Sequence, residues 1–486
     1  MAVTYNSHPY GLLDYTNPSA KMTRGPDGLY KFRPHNLYLN SAAPANQSIT
    51  LIAGATYRAV ITGTVSTTAS GAAAGVWTVG QYDFTAATTT LTLASTSGAG
   101  TVTVYRTPCD HFYLANTSTA RYALPFEWDA AGNLIGIVRE PAATNLVLHA
   151  TDISNAAWIK SRSSTGSAVA SFMGLTGAYP LLETTDLGTH RIFQGATIVA
   201  NGTYCFSAIL KANGRNVVRL VCQSDGGVNG VTARVNLADG TFFSAAAKIG
   251  TGTLARSGIE NLGSGRYRVF ISGKVDPAAT IATQMIQTCL DNGTDDYVGD
   301  ITKGVIVEHI QLEAGEYPTS PIITHGATAT RAEDTITADV ASFMSGATEY
   351  GMYVEFQHRE VSTIFPYVAR LSGSAEAERA GLFVNSASLM KLVASSGGVT
   401  QADLASLGTL TLGATSRIAG SWKVNDFRVS SDGTAVQSDT SGILPSPIEL
   451  LTLGVSANMT IRKVVIYKRA LTDAELISLS TNGVLA

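Results

Sequence analysis

Apolar and polar residues alternate along almost the whole chain in short runs, and each run ends in a turn signal. Residues 49–65, ITLIAGATYRAVITGTV, give two runs around Gly54, and residues 202–212 and 265–275 repeat the pattern. A period of two puts successive side chains on opposite faces, the mark of a strand with one face buried. Asp239-Gly240 and Asp432-Gly433 are hairpin turn pairs, where glycine supplies the positive φ of a tight reversal. Strand follows strand with no helical pattern between, so the expected fold class is all-β: serial β-sandwich or jelly-roll modules rather than a parallel sheet with crossover helices. One short C-terminal helix is expected. Thr472 can cap it, Glu475 completes a capping box, and Leu471, Leu476 and Leu479 would pack back on a sheet.

At 486 residues the chain is too long for one ordinary core, and length alone suggests about three domains. Charged residues are only 14%, against about 25% in typical domains. Small residues replace them, with 47 glycines, which suits many strands joined by tight turns. The net charge of −3 comes with no basic stripe, which argues against a nucleic-acid partner. No long apolar run predicts a membrane span. The start, MAVTYNSHPYG, has neither the basic nor the apolar region of a secretory signal. Cys109, Cys205, Cys222 and Cys289 lack CxxC spacing; Cys205 and Cys222 sit in strand-like runs and read as small buried hydrophobes.

Five segments follow in order. Residues 1–35 carry Pro9, Pro18, Pro26 and Pro34 among Tyr5, Tyr10, Tyr15 and Tyr30. Proline removes backbone donors, so this is expected to be an irregular, extended arm. It would be ordered by docking on a partner, with the four tyrosines as contact residues. Residues 36–108 read as a small β-module, and 109–145 as a connector holding the turn Trp128–Asn133. Residues 146–332 read as a larger sandwich and 333–486 as a third one.

Candidate chemistry is sparse. Glu127 and Asp129 would share one face of a strand, about 7 Å apart, within glycosidase spacing; turn-flanking carboxylates in a connector are the plainer reading. Asp225, Asp295 and Asp296 are candidate calcium ligands, because hard cations take oxygen donors. No other cofactor is expected. His309 reads as a structural histidine, and Trp158 and Trp422 as packed rather than exposed for sugar stacking. No HExxH and no Gly-x-Ser-x-Gly elbow is present. The chain is therefore not expected to be an enzyme.

Two stretches carry a resemblance. Glu140-Pro141-Ala142-Ala143-Thr144-Asn145-Leu146 resembles the joint "E-x-x-x-T-N-L" of many bacteriophage tail and virion proteins. Leu312-Glu313-Ala314-Gly315, Tyr317-Pro318-Thr319-Ser320 and Thr330-Arg331-Ala332-Glu333-Asp334 resemble the matching closing stretch, with Pro321 and Ile322 where the pattern usually has Tyr and Ile. The module between looks like a jelly roll of the carbohydrate-binding-module type. Asn36-Leu37-Tyr38-Leu39-Asn40 echoes Asn145-Leu146-Val147-Leu148-His149, which suggests that residues 36–108 are a shorter copy. Gly420-Ser421-Trp422, Asp432-Gly433-Thr434 and residues 461–476 are similar to concanavalin A-like (laminin-G-like) sandwiches. The resemblance implies a phage structural protein: a fibre, collar or capsid-decorating component on the virion surface. Its arm would contact other virion proteins, its modules would meet host glycans, and it would assemble as a homotrimer. A glycan-binding surface lectin and a polysaccharide depolymerase are the alternatives.

Overall fold

The computed structural model describes residues 2–6, 13–16, 19–109, 114, 121–171, 173, 177–224, 226–359, 366–374 and 376–485. Apart from two short helices, its elements are strands in antiparallel sheets, arranged as three sandwich-like modules. The alternation in the sequence appears directly as burial: Thr56–Ile61 alternates half-buried and buried side chains.

The small module packs a sheet of Gln47–Thr50, Thr90–Ser97, Ser66–Gly71 and Gly75–Trp77 against Gly80–Thr85, Thr56–Ile61 and Val102–Arg106. Tyr38, Ile49, Tyr57, Leu91, Leu93 and Val104 fill its core. The large module is two six-stranded sheets. One has Gly304–Ala314 and Arg266–Lys274 on either side of Tyr204–Asn213, with Thr253–Gly263 at its edge. Trp158, Phe206, Leu220, Ile286 and Leu312 lie between the sheets.

Both modules close with the same device. Asn36 accepts from the backbone N–H groups of Tyr38 (3.0 Å) and Val104 (3.2 Å). Asn145 accepts from Val147 (3.1 Å) and Leu312 (3.2 Å). Gln47 clasps both backbone groups of Leu39, and Gln194 those of Leu148. The residue after each clasped leucine, Asn40 or His149, adopts a left-handed φ of 50° or 55°. The Tyr57 and Tyr204 hydroxyls each accept from the backbone five residues upstream. The echo noted in the sequence is a shared hydrogen-bond plan.

The C-terminal module differs from its expected bounds. Its core holds Phe126 and Ile137 beside Met352, Leu382, Trp422 and Ile466. The reason is that the hairpin Phe126–Trp128/Leu134–Arg139 joins its sheet, with Ile137–Arg139 paired to Met459–Ile461. The segment 109–145 is thus no mere connector. The helix Asp473–Asn482 bears the expected capping box at Thr472, and Leu471, Leu476 and Leu479 pack on Tyr353, Ala419 and Val465.

The arm also differs from expectation. Ala2–Asn6 pairs with Met459–Tyr467, and Asp14–Thr16 with Thr335–Asp339, both in the C-terminal module. Met22–Arg24 and Tyr30–Phe32 form a hairpin whose Met22, Tyr30 and Phe32 pack on Ile209, Leu262 and Ile323 of the large module. Tyr30 is 2% exposed, so it is a core residue and not a docking surface. Apolar faces left open on two modules explain why the arm folds back: they cover side chains that would otherwise meet water. Tyr10, and the side chains of Tyr5 and Tyr15, lie outside the described residues.

Where arm, hairpin and closing stretch meet, charges are buried. The Lys21 ammonium donates to Val138 O (2.9 Å) and to Asp334, and lies 3.0 Å from Glu140 Oε2. Arg331 lies 3.4 Å from Glu140 and 3.7 Å from Asp334. All four side chains are at most 3% exposed. Burial opposes ionisation of Glu140, but Lys21, Arg331 and Arg359 more than offset it and hold its carboxyl far below the usual range. Lys21→Met removes the closest cation from two buried carboxylates and leaves them to Arg331 and the more distant Arg359. It is expected to cost about 3–5 kcal/mol in urea unfolding, where a surface lysine would cost almost nothing.

Two histidines set a second expectation. Burial, reinforced by Arg268, lowers His309 to about 3, and burial alone lowers His358 to about 4. Both are neutral in the fold and take up protons on unfolding. Their contribution is complete above their ordinary value of 6.5 and is lost as pH falls from there toward 3–4, at up to about 1.4 kcal/mol per unit for each. The urea midpoint should therefore fall between pH 7 and 5, and less steeply in His358→Phe.

Candidate functional site

A cleft of about 440 Å³ opens where the arm hairpin, the large module and the C-terminal module converge, within the roughly 300–1,000 Å³ of small-molecule sites. Each wall comes from a different part of the chain. The arm hairpin supplies Arg24 and Tyr30; the hairpin at 126–139 supplies Glu127 and Ile135. The edge strand Thr253–Gly263 and its neighbour Arg266–Lys274 supply Glu260, Arg268 and Phe270. The closing stretch supplies Tyr317, Pro318 and Ser320, and the C-terminal module supplies Gln357 and Arg359.

Strand register explains the local order. Glu260 lies opposite Arg268, and Gly258 opposite Phe270, and residues two apart share a face. A Cβ on Gly258 would collide with the Phe270 ring, so glycine lets that ring lie flat against the neighbouring strand. The ring then meets Tyr317, centroids 5.0 Å apart.

The charges are unevenly matched. Arg359 donates to Glu127 Oε2 at 2.6 Å, with side chains 16% and 5% exposed. Arg24 donates to Trp128 O (2.7 Å) and Asn261 O (3.2 Å) and lies 3.7 Å from Glu260. Arg268, 4% exposed, gives both bonds from Nη2, to Ser207 Oγ (3.2 Å) and Thr319 O (2.6 Å). Its Nε is buried without a partner. Glu260 opens 43% of its side chain to the cleft. Crowding by the walls, and then the Glu127 carboxylate, raise its proton affinity above the usual carboxyl range, against the pull of Arg24, Arg268 and Arg359.

The sequence candidates fall out differently. Glu127 and Asp129 do not form a catalytic pair. Asp129 accepts from Ala131 N, Asn133 N and Asn133 Nδ2 and so builds the hairpin turn, while Glu127 is buried against Arg359. The calcium reading is corrected at Asp295, whose carboxylate accepts from Arg219 (3.0 Å) and Arg234 (2.8 Å). Asp296 is exposed beside it, and Asp225 lies outside the described residues. Among the described residues no three His, Cys, Asp or Glu side chains gather closely enough to hold a metal. Trp158 and Trp422 are core residues, with indole N–H groups bonded to His149 O and Val393 O. His309 is fully buried with Nε2 3.2 Å from Ile322 O. Cys205 and Cys222 are buried.

Sequence reasoning did not single out Arg24, Glu260, Arg268, Tyr317 or Arg359. The one available signal was charge inside strand-like runs in a chain so poor in charge.

No family model matches the chain, and no curated protein matches it. Among solved structures, it is similar to the CBM40 of Ruminococcus gnavus IT-sialidase bound to α2,3-sialyllactose. That match has 10% identity and a TM-score of 0.26, covering 30% of this chain and 92% of that one. It is also similar to the native heptameric SAP-like pentraxin of Limulus polyphemus, at 10% identity and TM-score 0.22, over 28% and 70%. Trypanosoma rangeli sialidase in complex with 2,3-difluorosialic acid matches at 9% identity and TM-score 0.26, over 67% and 62%. The functional reading rests on the cleft itself.

The cleft makes one energetic statement. Removing Arg359 leaves the buried Glu127 carboxylate without its ion pair, and removing Glu127 leaves Arg359 with only the more distant Glu140, at 4.0 Å. Glu127→Gln and Arg359→Met should each cost about 3 kcal/mol or more. The double variant should cost less than their sum by over about 1 kcal/mol, read from a urea-unfolding cycle.

Proposed function

We propose that this chain is a glycan-binding component of a bacteriophage particle surface, and that it binds without turnover. The observation that carries the binding reading is the junction cleft: fixed donors and acceptors stand around the half-buried ring of Tyr317, with Phe270 buried behind it, the pattern of a small-molecule site. Tyr317 and Ile259 offer apolar area to a sugar ring, while Ser257, Ser320, Gln357 and the charged groups offer hydrogen bonds to its hydroxyls. Binding without turnover is supported by the state of Glu127, which is tied to Arg359 rather than free beside a second carboxylate.

The particle reading is supported by the two joints that resemble phage virion proteins. Of their residues, Glu140, Arg331 and Asp334 join Lys21 of the arm in the buried charge cluster, and Asn145 closes the large module. A homotrimer on the virion, contacting other particle proteins, belongs to this reading.

A glycan array probed with the full chain tests the binding reading. Binding is expected, with at least about a tenfold loss in Tyr317→Ala. An array with no ligand would overturn it. Antibody labelling of intact particles tests the second part, and unlabelled particles would overturn that part alone.

A further inference from the structure

Among the described residues, the charges lining the cleft do not balance: three guanidinium groups, from Arg24, Arg268 and Arg359, stand against two carboxyl groups, Glu127 and Glu260. Arg359 takes Glu127 at 2.6 Å, and Glu260 sits nearest Arg24, at 3.7 Å. Arg268 has no carboxylate within ion-pair distance among the described residues, although it is 4% exposed. Glu313, also buried, spends its oxygens on Thr319 N, Thr319 Oγ1 and Gln311 Nε2 instead. Only Nη2 of Arg268 is hydrogen-bonded.

A buried cation without a close anion is costly. It persists when surrounding structure holds it in place, and here both Nη2 protons are fixed by Ser207 Oγ and the Thr319 carbonyl. Those two bonds orient the guanidinium without neutralising it. The ligand that gains most at such a place brings its own negative charge, because a charge-assisted hydrogen bond is about twice as strong as a neutral one.

We propose that the cleft selects saccharides carrying a carboxylate, and that Arg268 is the residue that reads that group. This rests on the glycan-binding reading and names its ligand class. Glu127 and Arg359 supply a matched pair that rejects nothing by charge. Glu260 stands across the strand register from Arg268 and is the group an incoming carboxylate must avoid.

Titration calorimetry on the full chain tests this, with galacturonate, glucuronate and N-acetylneuraminate, each compared with its methyl ester. At least one acid should bind about tenfold or more tightly than its ester. That difference should shrink as salt rises, and it should vanish in Arg268→Met, where acid and ester bind alike. Equal binding of acid and ester by the unaltered protein overturns the proposal and leaves the glycan reading standing. So does a preference that survives in Arg268→Met. The first comparison needs no variant, so it decides the matter even where Arg268→Met fails to fold. No binding by any acid or ester, on a chain that also binds nothing on the glycan array, removes both readings together.

Discussion

Four buried side chains decide the arrangement of this protein. Lys21, Glu140, Arg331 and Asp334 come from the arm, the end of the 126–139 hairpin and the closing stretch of the large module. Each alone would be prohibitively costly in an apolar interior. Together they are stable only in one mutual geometry, so they act as a positional lock more than as a source of net stability. Glu140 shows how the lock works. Its backbone N–H donates to Asp334, its Oε1 accepts from Ser320 N, and its Oε2 lies near Lys21 and Arg331. One residue thereby fixes where the large module begins, where it ends and where the arm crosses.

The cleft is a consequence of that lock. Its walls come from the arm, the hairpin, two strands and the closing stretch of the large module, and the C-terminal module, and no single module contains it. Arg24 extends from the arm strand that begins one residue after Lys21, and Arg359 lies 4.0 Å from Glu140. The charges of the lock and those of the cleft therefore form one continuous system. Its inner part is balanced by carboxylates, and its outer part leaves Arg268 without one.

The small and large modules reveal how such a body is assembled from repeated parts. An asparagine holds the first strand to the last, a glutamine clasps a leucine backbone, and a tyrosine hydroxyl caps a loop, once in each module. These polar side chains are chosen by unpaired backbone groups where a sandwich must close. That is why Asn36 and Asn145 stand out amid apolar neighbours.

The sequence by itself determined what depends on neighbours in the chain. Period-two runs such as residues 56–61, the turns at Asp239-Gly240 and Asp432-Gly433, and the capped helix after Thr472 all follow from local backbone geometry. The echo between Asn36 and Asn145 was also legible, because the same closure needs the same residues. Tertiary structure alone decided the rest. Phe126 and Ile137 read as connector residues and became core of a module in which Ile137 pairs with Ile461, far along the chain. Tyr30 read as a docking residue and became interior. Arg268 read as one more strand arginine, and its unmatched charge exists only because Ser207, Thr319 and Glu260 stand where they do. Local patterns fix which face of a strand is apolar, but any apolar face can be covered by several partners. Which one covers it, and which charges are left unpaired, is settled only when distant segments compete for the same surface.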